Sequence, residues 1–96
     1  MVNKDWKILV FTPFGTEGYT MVINQTIPFV SGRLFSHKGE MIFENGTLIN
    51  NEIEIESRMD YPISCVVKIK AKVQEEKMSG RIYIDEYLSV PFKGEI

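Results

Sequence analysis

Few side chains in this sequence could carry chemistry. His37, the one histidine, stands in the turn-like segment Ser36-His37-Lys38-Gly39, where a solvated loop imidazole is the first reading. Asp60 and Tyr61 adjoin in Asp60-Tyr61-Pro62. A carboxyl and a phenol there could serve as acid and base at the rim of an apolar pocket, although Asp and Pro are also turn formers. Asp60, Tyr61 and His37 are thus the candidate catalytic residues. Glu52, Glu54 and Glu56 look like paired carboxylates, but alternation puts all three opposite Ile53 and Ile55, on a wet face matched in charge to Lys68, Lys70 and Lys72. Cys65 falls in an apolar register without a basic partner, which reads as an inert buried thiol.

Metal binding is not expected from one histidine and one cysteine in unrelated segments. The stretch Pro13–Gly18 opens no helix, so it offers no phosphate cradle. No nucleophile elbow or triad pattern is present, and no cofactor is implied. Candidates for a ligand site are the large side chains Trp6, Tyr19, Met21, Phe43, Met59 and Tyr87, with Arg33 available to hold a carboxylate through two hydrogen bonds. The same aromatic and methionine side chains could equally be plain core, and Arg33 a residue of the wet face.

What must position these residues is β-structure. From Ile63 to Gln74 apolar residues hold the odd positions while most even ones are polar, and Glu52–Glu56 answers with the same period and opposite charge. A period of two sorts side chains to a dry and a wet face. Turn signals recur throughout, and the strands read as Trp6–Thr12, Tyr19–Gln25, Phe29–Ser36, Glu40–Ile49, Glu52–Met59, Ile63–Gln74, Lys77–Ile84 and Leu88–Gly94. Pro13–Gly18 reads as a loop, Asn50-Asn51 as a tight turn, and Asn45-Gly46 as a bulge within its strand. Short connections leave no room for crossover helices, so the expected fold is an all-β, eight-stranded antiparallel meander closing into a small barrel or strongly rolled sheet.

Register follows from pairing. Ile55 is set opposite Val67, with Glu54 by Lys68 and Glu52 by Lys70; a slip of two residues would still pair acid with base. Ile69 is set by Ile82, Ala71 by Gly80, Ile82 by Val90, and Gly80 by Phe92, where the missing side chain makes room for the ring. Leu9, Phe11, Val22 and Phe29 or Phe35 make a second apolar face, for which a second copy or a partner protein is the expected cover.

Ninety-six residues make a single domain, 1–96. With 11 Lys and Arg against 13 Asp and Glu there is no basic excess to neutralise phosphates and no polybasic run for a membrane surface, so neither nucleic acid nor a membrane is an expected partner. No apolar stretch approaches the ~20 residues of a spanning helix. Met1–Asp5 lack a leader-like apolar run, so a cytoplasmic location is expected.

Trp6, Thr12-Pro13-Phe14-Gly15, Gly32, Lys38-Gly39-Glu40, Asn45-Gly46, Tyr61-Pro62, Met78-Ser79-Gly80 and Val90-Pro91-Phe92-Lys93-Gly94 occur in that order over nearly the whole chain. The pattern resembles a family of small, largely uncharacterised bacterial all-β domains, and in outline it is similar to lipocalin-like barrels. The resemblance implies the fold and a bacterial source; it transfers no catalytic residue. The functional expectation is a barrel that accepts a small hydrophobic or aromatic ligand in an apolar cavity. Two alternatives stand beside it: an accessory subunit, homodimeric or docked on an enzyme through the Leu9, Phe11, Val22 face, and a cofactor-independent isomerase or cyclase.

Overall fold

The computed structural model describes residues 5–26, 28–59, 64–85 and 87–96. Eight strands follow in chain order: β1 (Asp5–Thr12), β2 (Gly15–Thr26), β3 (Phe29–Ser36), β4 (Gly39–Ile49), β5 (Glu52–Met59), β6 (Cys65–Gln74), β7 (Lys77–Ile84) and β8 (Leu88–Glu95). Each pairs antiparallel with its neighbour, and β8 returns to β1 through Lys7↔Glu95 to Val10↔Phe92, so the meander closes into a barrel. Closure leaves no sheet edge to invite association.

Alternation decides what lies inside. β1 buries Trp6, Ile8 and Val10 and exposes the residues between them; β6 does the same with Val67, Ile69, Ala71 and Val73. No charged residue is buried among the described residues. The interior is therefore apolar and the exterior rich in Lys and Glu, the inverse of a barrel that faces lipid.

β4 has to change phase to stay in this scheme. Its inward residues are Met41 and Phe43, then Gly46. Between Val30↔Gly46 and Gly32↔Phe43, β4 carries one more residue than β3, a bulge at Glu44-Asn45 opposite Ser31. The ladder to β5 spans only Thr47↔Glu54 to Ile49↔Glu52, and Ser57 Oγ donates to the Ile42 carbonyl (2.6 Å) beyond it. Asn50 and Asn51 both have positive φ, 53° and 64°, as a tight turn of the hairpin type requires.

Two sequence expectations change. The segment from Gly15 to Gly18 is strand, not loop: Thr12 Oγ1 donates to the Gly15 carbonyl (2.7 Å) and accepts the Phe14 N–H (3.2 Å), which pins a two-residue turn at Pro13-Phe14. The β5–β6 register is displaced by two residues from the expected one, with Ile55 opposite Ile69, Glu54 opposite Lys70 and Glu56 opposite Lys68. Acid meets base in either register, so charge could not distinguish them. The β6–β7 and β7–β8 registers are as expected, Gly80 lying opposite both Ala71 and Phe92.

The reason for Gly80 differs from the one expected. A Cβ there would stand 1.9 Å from the Lys70 carbonyl oxygen and 2.6 Å from Ala71 Cα, so the obstacle is the backbone of β6, not the Phe92 ring. The walls bend sharply enough at this point that only glycine fits. Gly80→Ala should cost about 2–4 kcal/mol in denaturant unfolding, whereas Gly18→Ala, with nothing within 4 Å of the added Cβ, should stay within about 0.5 kcal/mol. Equal stability of the two variants would refute the bend.

Candidate functional site

The two ends of the barrel are filled differently. Among the described residues the buried aromatic rings are Trp6, Phe43 and Phe92, and with Ile8, Met21, Ile53 and Ile69 they form the fully buried plug of the one core cluster. At the end where β1, β3 and β7 finish, the inward positions carry Val10, Leu34, Met41, Val67, Ile82 and Val90 instead. These side chains line a cavity of about 480 Å³ that opens there to solvent. Its rim is formed by the turn residues Pro13, Phe14, Lys38 and Gly39, with Ile84 and Leu88 on the facing hairpin.

One polar cluster stands at this mouth. Glu17 and Tyr19 are two apart on β2, so the pleat turns both to the cavity. The Tyr19 hydroxyl donates to Glu17 Oε1 (3.1 Å), and Lys38 Nζ donates to Glu17 Oε2 (3.2 Å). The Lys38 turn is itself set by its N–H donating to Ser36 Oγ (3.1 Å). The hydrogen bond from Lys38, then that from Tyr19, with the Lys38 charge behind them, hold the Glu17 carboxyl below its ordinary value; His37 adds a smaller electrostatic contribution. Partial burial, reinforced by the neighbouring carboxylate, pushes the Tyr19 phenol up. At neutral pH the cluster is thus a carboxylate held ionised, a lysine paired to it and a phenol held neutral. Neither Glu17 nor Tyr19 is poised to exchange a proton near neutrality.

Of the residues singled out in sequence, Tyr19 lines this cavity. Trp6, Met21 and Phe43 are fully buried in the plug. Arg33 faces outward, bound to Glu40 (2.7 Å) with its guanidinium 4.3 Å above the Phe35 ring, so it covers part of the outer apolar face. Tyr87 is 91% exposed at the tip of the β7–β8 turn. His37 is exposed beside Glu17 and Lys38, lining a small crevice outside the mouth. Asp60, Tyr61 and the side chain of Met59 lie outside the described residues. Cys65 is half-buried against the core rather than fully buried. Among the described residues no group of three or more His, Cys, Asp or Glu is placed to hold a metal ion.

Glu17 and Lys38 are the mouth residues that sequence reasoning passed over. The signal for Glu17 was present in the inward alternation Glu17, Tyr19, Met21, Ile23, but its flanking glycines gave the segment the look of a loop. Lys38 carries no local signal, because only the pairing of β2 with β3 brings its turn to Glu17.

Comparison with family models, with curated proteins and with solved structures finds no match for this chain.

A lowered folded-state pKa means that unfolding takes up a proton at Glu17 between that value and the ordinary 4.5. The cluster contributes stability above 4.5 that is lost as pH falls through the folded-state value. In thermal melts across the acid range, Glu17→Gln should flatten the acid-side decline in melting temperature. An unchanged pH profile would remove the Lys38–Glu17–Tyr19 contacts from the account.

Proposed function

We propose that this protein is a binding module whose open cavity accepts a small hydrophobic or aromatic molecule, apolar end inward. One observation carries the reading: an aliphatic cavity of about 480 Å³ that the side chains of a fully closed barrel leave unfilled. That volume lies in the range of small-molecule pockets, roughly 300–1,000 Å³, which are mostly apolar with a few placed polar groups. Glu17, Lys38 and Tyr19 supply those groups at the rim. They would orient a ligand's polar end: the neutral phenol and the lysine donate, and Glu17 can exchange its place on Lys38 for a ligand acceptor. The ionisation states favour binding over catalysis by Glu17 and Tyr19, because a paired carboxylate and an elevated phenol make a weak base and a weak acid.

Titration with N-phenyl-1-naphthylamine, a neutral apolar probe that brightens on leaving water, tests the cavity. Leu34→Trp and Ile82→Trp project bulk into it and should each weaken probe binding about tenfold or more, a loss of ~1.4 kcal/mol, with the fold retained by far-ultraviolet circular dichroism. Wild-type protein that fails to bind, or filled variants that bind as well as wild type, would overturn the proposal.

A second reading concerns the outer wall, and the exposure of neighbouring apolar side chains on β1 favours it. Leu9 is 48% and Phe11 37% exposed, and Val22 lies on the same outer surface of the adjoining β2. We read this face as the contact for a second copy of the chain or for a partner enzyme, in the cytoplasm. If the contact is between copies, wild-type protein elutes as a dimer and Leu9→Glu with Phe11→Glu elutes as a monomer in size-exclusion chromatography. Monomeric wild type would exclude the homodimer.

A further inference from the structure

The whole-chain charge of −2 conceals a spatial division. Alternation directs Lys68, Lys70 and Lys72 of β6 outward, and the next strands continue the pattern with Lys77 and Arg81 on β7, Lys93 on β8 and Lys7 on β1. Ladder positions run Lys72↔Ser79↔Lys93↔Leu9 and Lys70↔Arg81, so the cations form a continuous field. Seven of the 11 lysines and arginines therefore occupy four adjacent strands, whose exposed carboxylates are Asp5 and Glu95. Lys68 pairs with Glu56 (3.4 Å), and none of the other six is in an ion pair with a described residue. The β5 glutamates, opposite Lys68, Lys70 and Lys72, border the field on one side, the Glu75-Glu76 turn borders it at one end, and Glu95 stands between Lys7 and Lys77. A surface groove of about 500 Å³ crosses the four strands, lined by Lys7, Leu9, Lys72, Lys77, Lys93 and Glu95 with Ser79 among them.

We propose that this wall, β6-β7-β8-β1, docks a single-stranded nucleic acid through its phosphates. Charge complementarity calls for a polyanion, and curvature selects the kind. Four of eight strands in a closed ring span about half the circumference, in a barrel only 24 Å across. A planar anionic bilayer or a stiff duplex would touch such a convex wall along a narrow line and leave most of the cations in water. A flexible strand can follow the curve. Cations recur every ~6.8 Å along a strand and ~4.8 Å between strands, a lattice on which successive phosphates find partners without a fixed path. The interspersed Ser79 and Ser89 add hydroxyls, and among the described residues no aromatic ring lines the groove to stack bases. Recognition is thus through the backbone, little dependent on sequence and strongly dependent on salt. Net charge argued against such a partner because a sum over the chain does not see which strands carry which sign.

Fluorescence anisotropy with a labelled oligothymidylate tests this. Four or five phosphates engaged would give a slope of log K against log salt of about −3, at roughly −0.7 per phosphate for single strands. The combined variant Lys7→Gln, Lys77→Gln, Lys93→Gln should lower the slope to about −1 and weaken binding at low salt at least about tenfold, while Lys38→Gln, at the mouth, changes neither. The three substitutions lie on exposed side chains, and circular dichroism checks that the barrel persists. Four results would overturn the proposal: no binding at low salt, an unchanged slope in the triple variant, tighter binding of the matching duplex, or cosedimentation with phosphatidylglycerol vesicles in preference to the oligonucleotide.

Discussion

A closed ring of eight strands encloses a fixed interior, and side-chain volume must match it. Everything else in this protein follows from how that match is met at one end and missed at the other. Trp6, Phe43 and Phe92 supply rings large enough to cross the axis, and around them the interior is dry and filled. Val10, Leu34, Val67, Ile82 and Val90 supply only aliphatic side chains at the other end, where they line an open cavity. Close packing elsewhere makes the cavity a property of the scaffold, because the walls are held by hydrogen-bonded ladders and cannot collapse into it. The glycine at position 80 belongs to the same constraint: a ring this small must bend tightly, and at that bend strand meets strand too closely for a side chain.

The fold was legible in the sequence because it rests on periodicity, a signal carried by every residue. Strands β3, β5 and β7 run over the expected residues, and the bulge at Asn45 was legible because a hairpin at Asn45-Gly46 would have left too short a strand. Legibility failed where two arrangements satisfy the same local rule. Glutamates and lysines on β5 and β6 pair equally well in registers two residues apart, and Ile55 finds an inward apolar partner in either, Ile69 in the one adopted. Glycines at 15 and 18 suggest a loop until Thr12 is seen to close a tight turn before them. The site was less legible than the fold. Large side chains drew attention as ligand contacts, yet large side chains are the ones that fill space; the cavity lies where they are missing, and absence leaves little trace in composition.

Electrostatics divides the surface in a way that matters for both proposals. At the mouth, opposite charges are brought within hydrogen-bonding distance, so Glu17 and Lys38 are largely neutralised and the entrance carries little net field. On the β6-β7-β8-β1 wall, cations stand beside one another with few carboxylates between them. Surface ion pairs such as Arg33–Glu40 and Lys68–Glu56 contribute little to stability, on the order of 0–1 kcal/mol. An apolar ligand and a polyanion would use different surfaces of one small barrel, without competing for the same side chains.

The closing seam joins the first strand of the barrel to the last. As the polypeptide leaves the ribosome, β1 has a partner on one side only, and its other edge stays open until Phe92 to Glu95 have been synthesised. Seven strands can coil but cannot shut, so a nascent chain that stops before Leu88 displays two unpaired edges and an accessible oily interior. Completion of the last hairpin removes both hazards at once. Truncated products of this chain are consequently recognisable to chaperones and proteases in a way that the finished barrel is not.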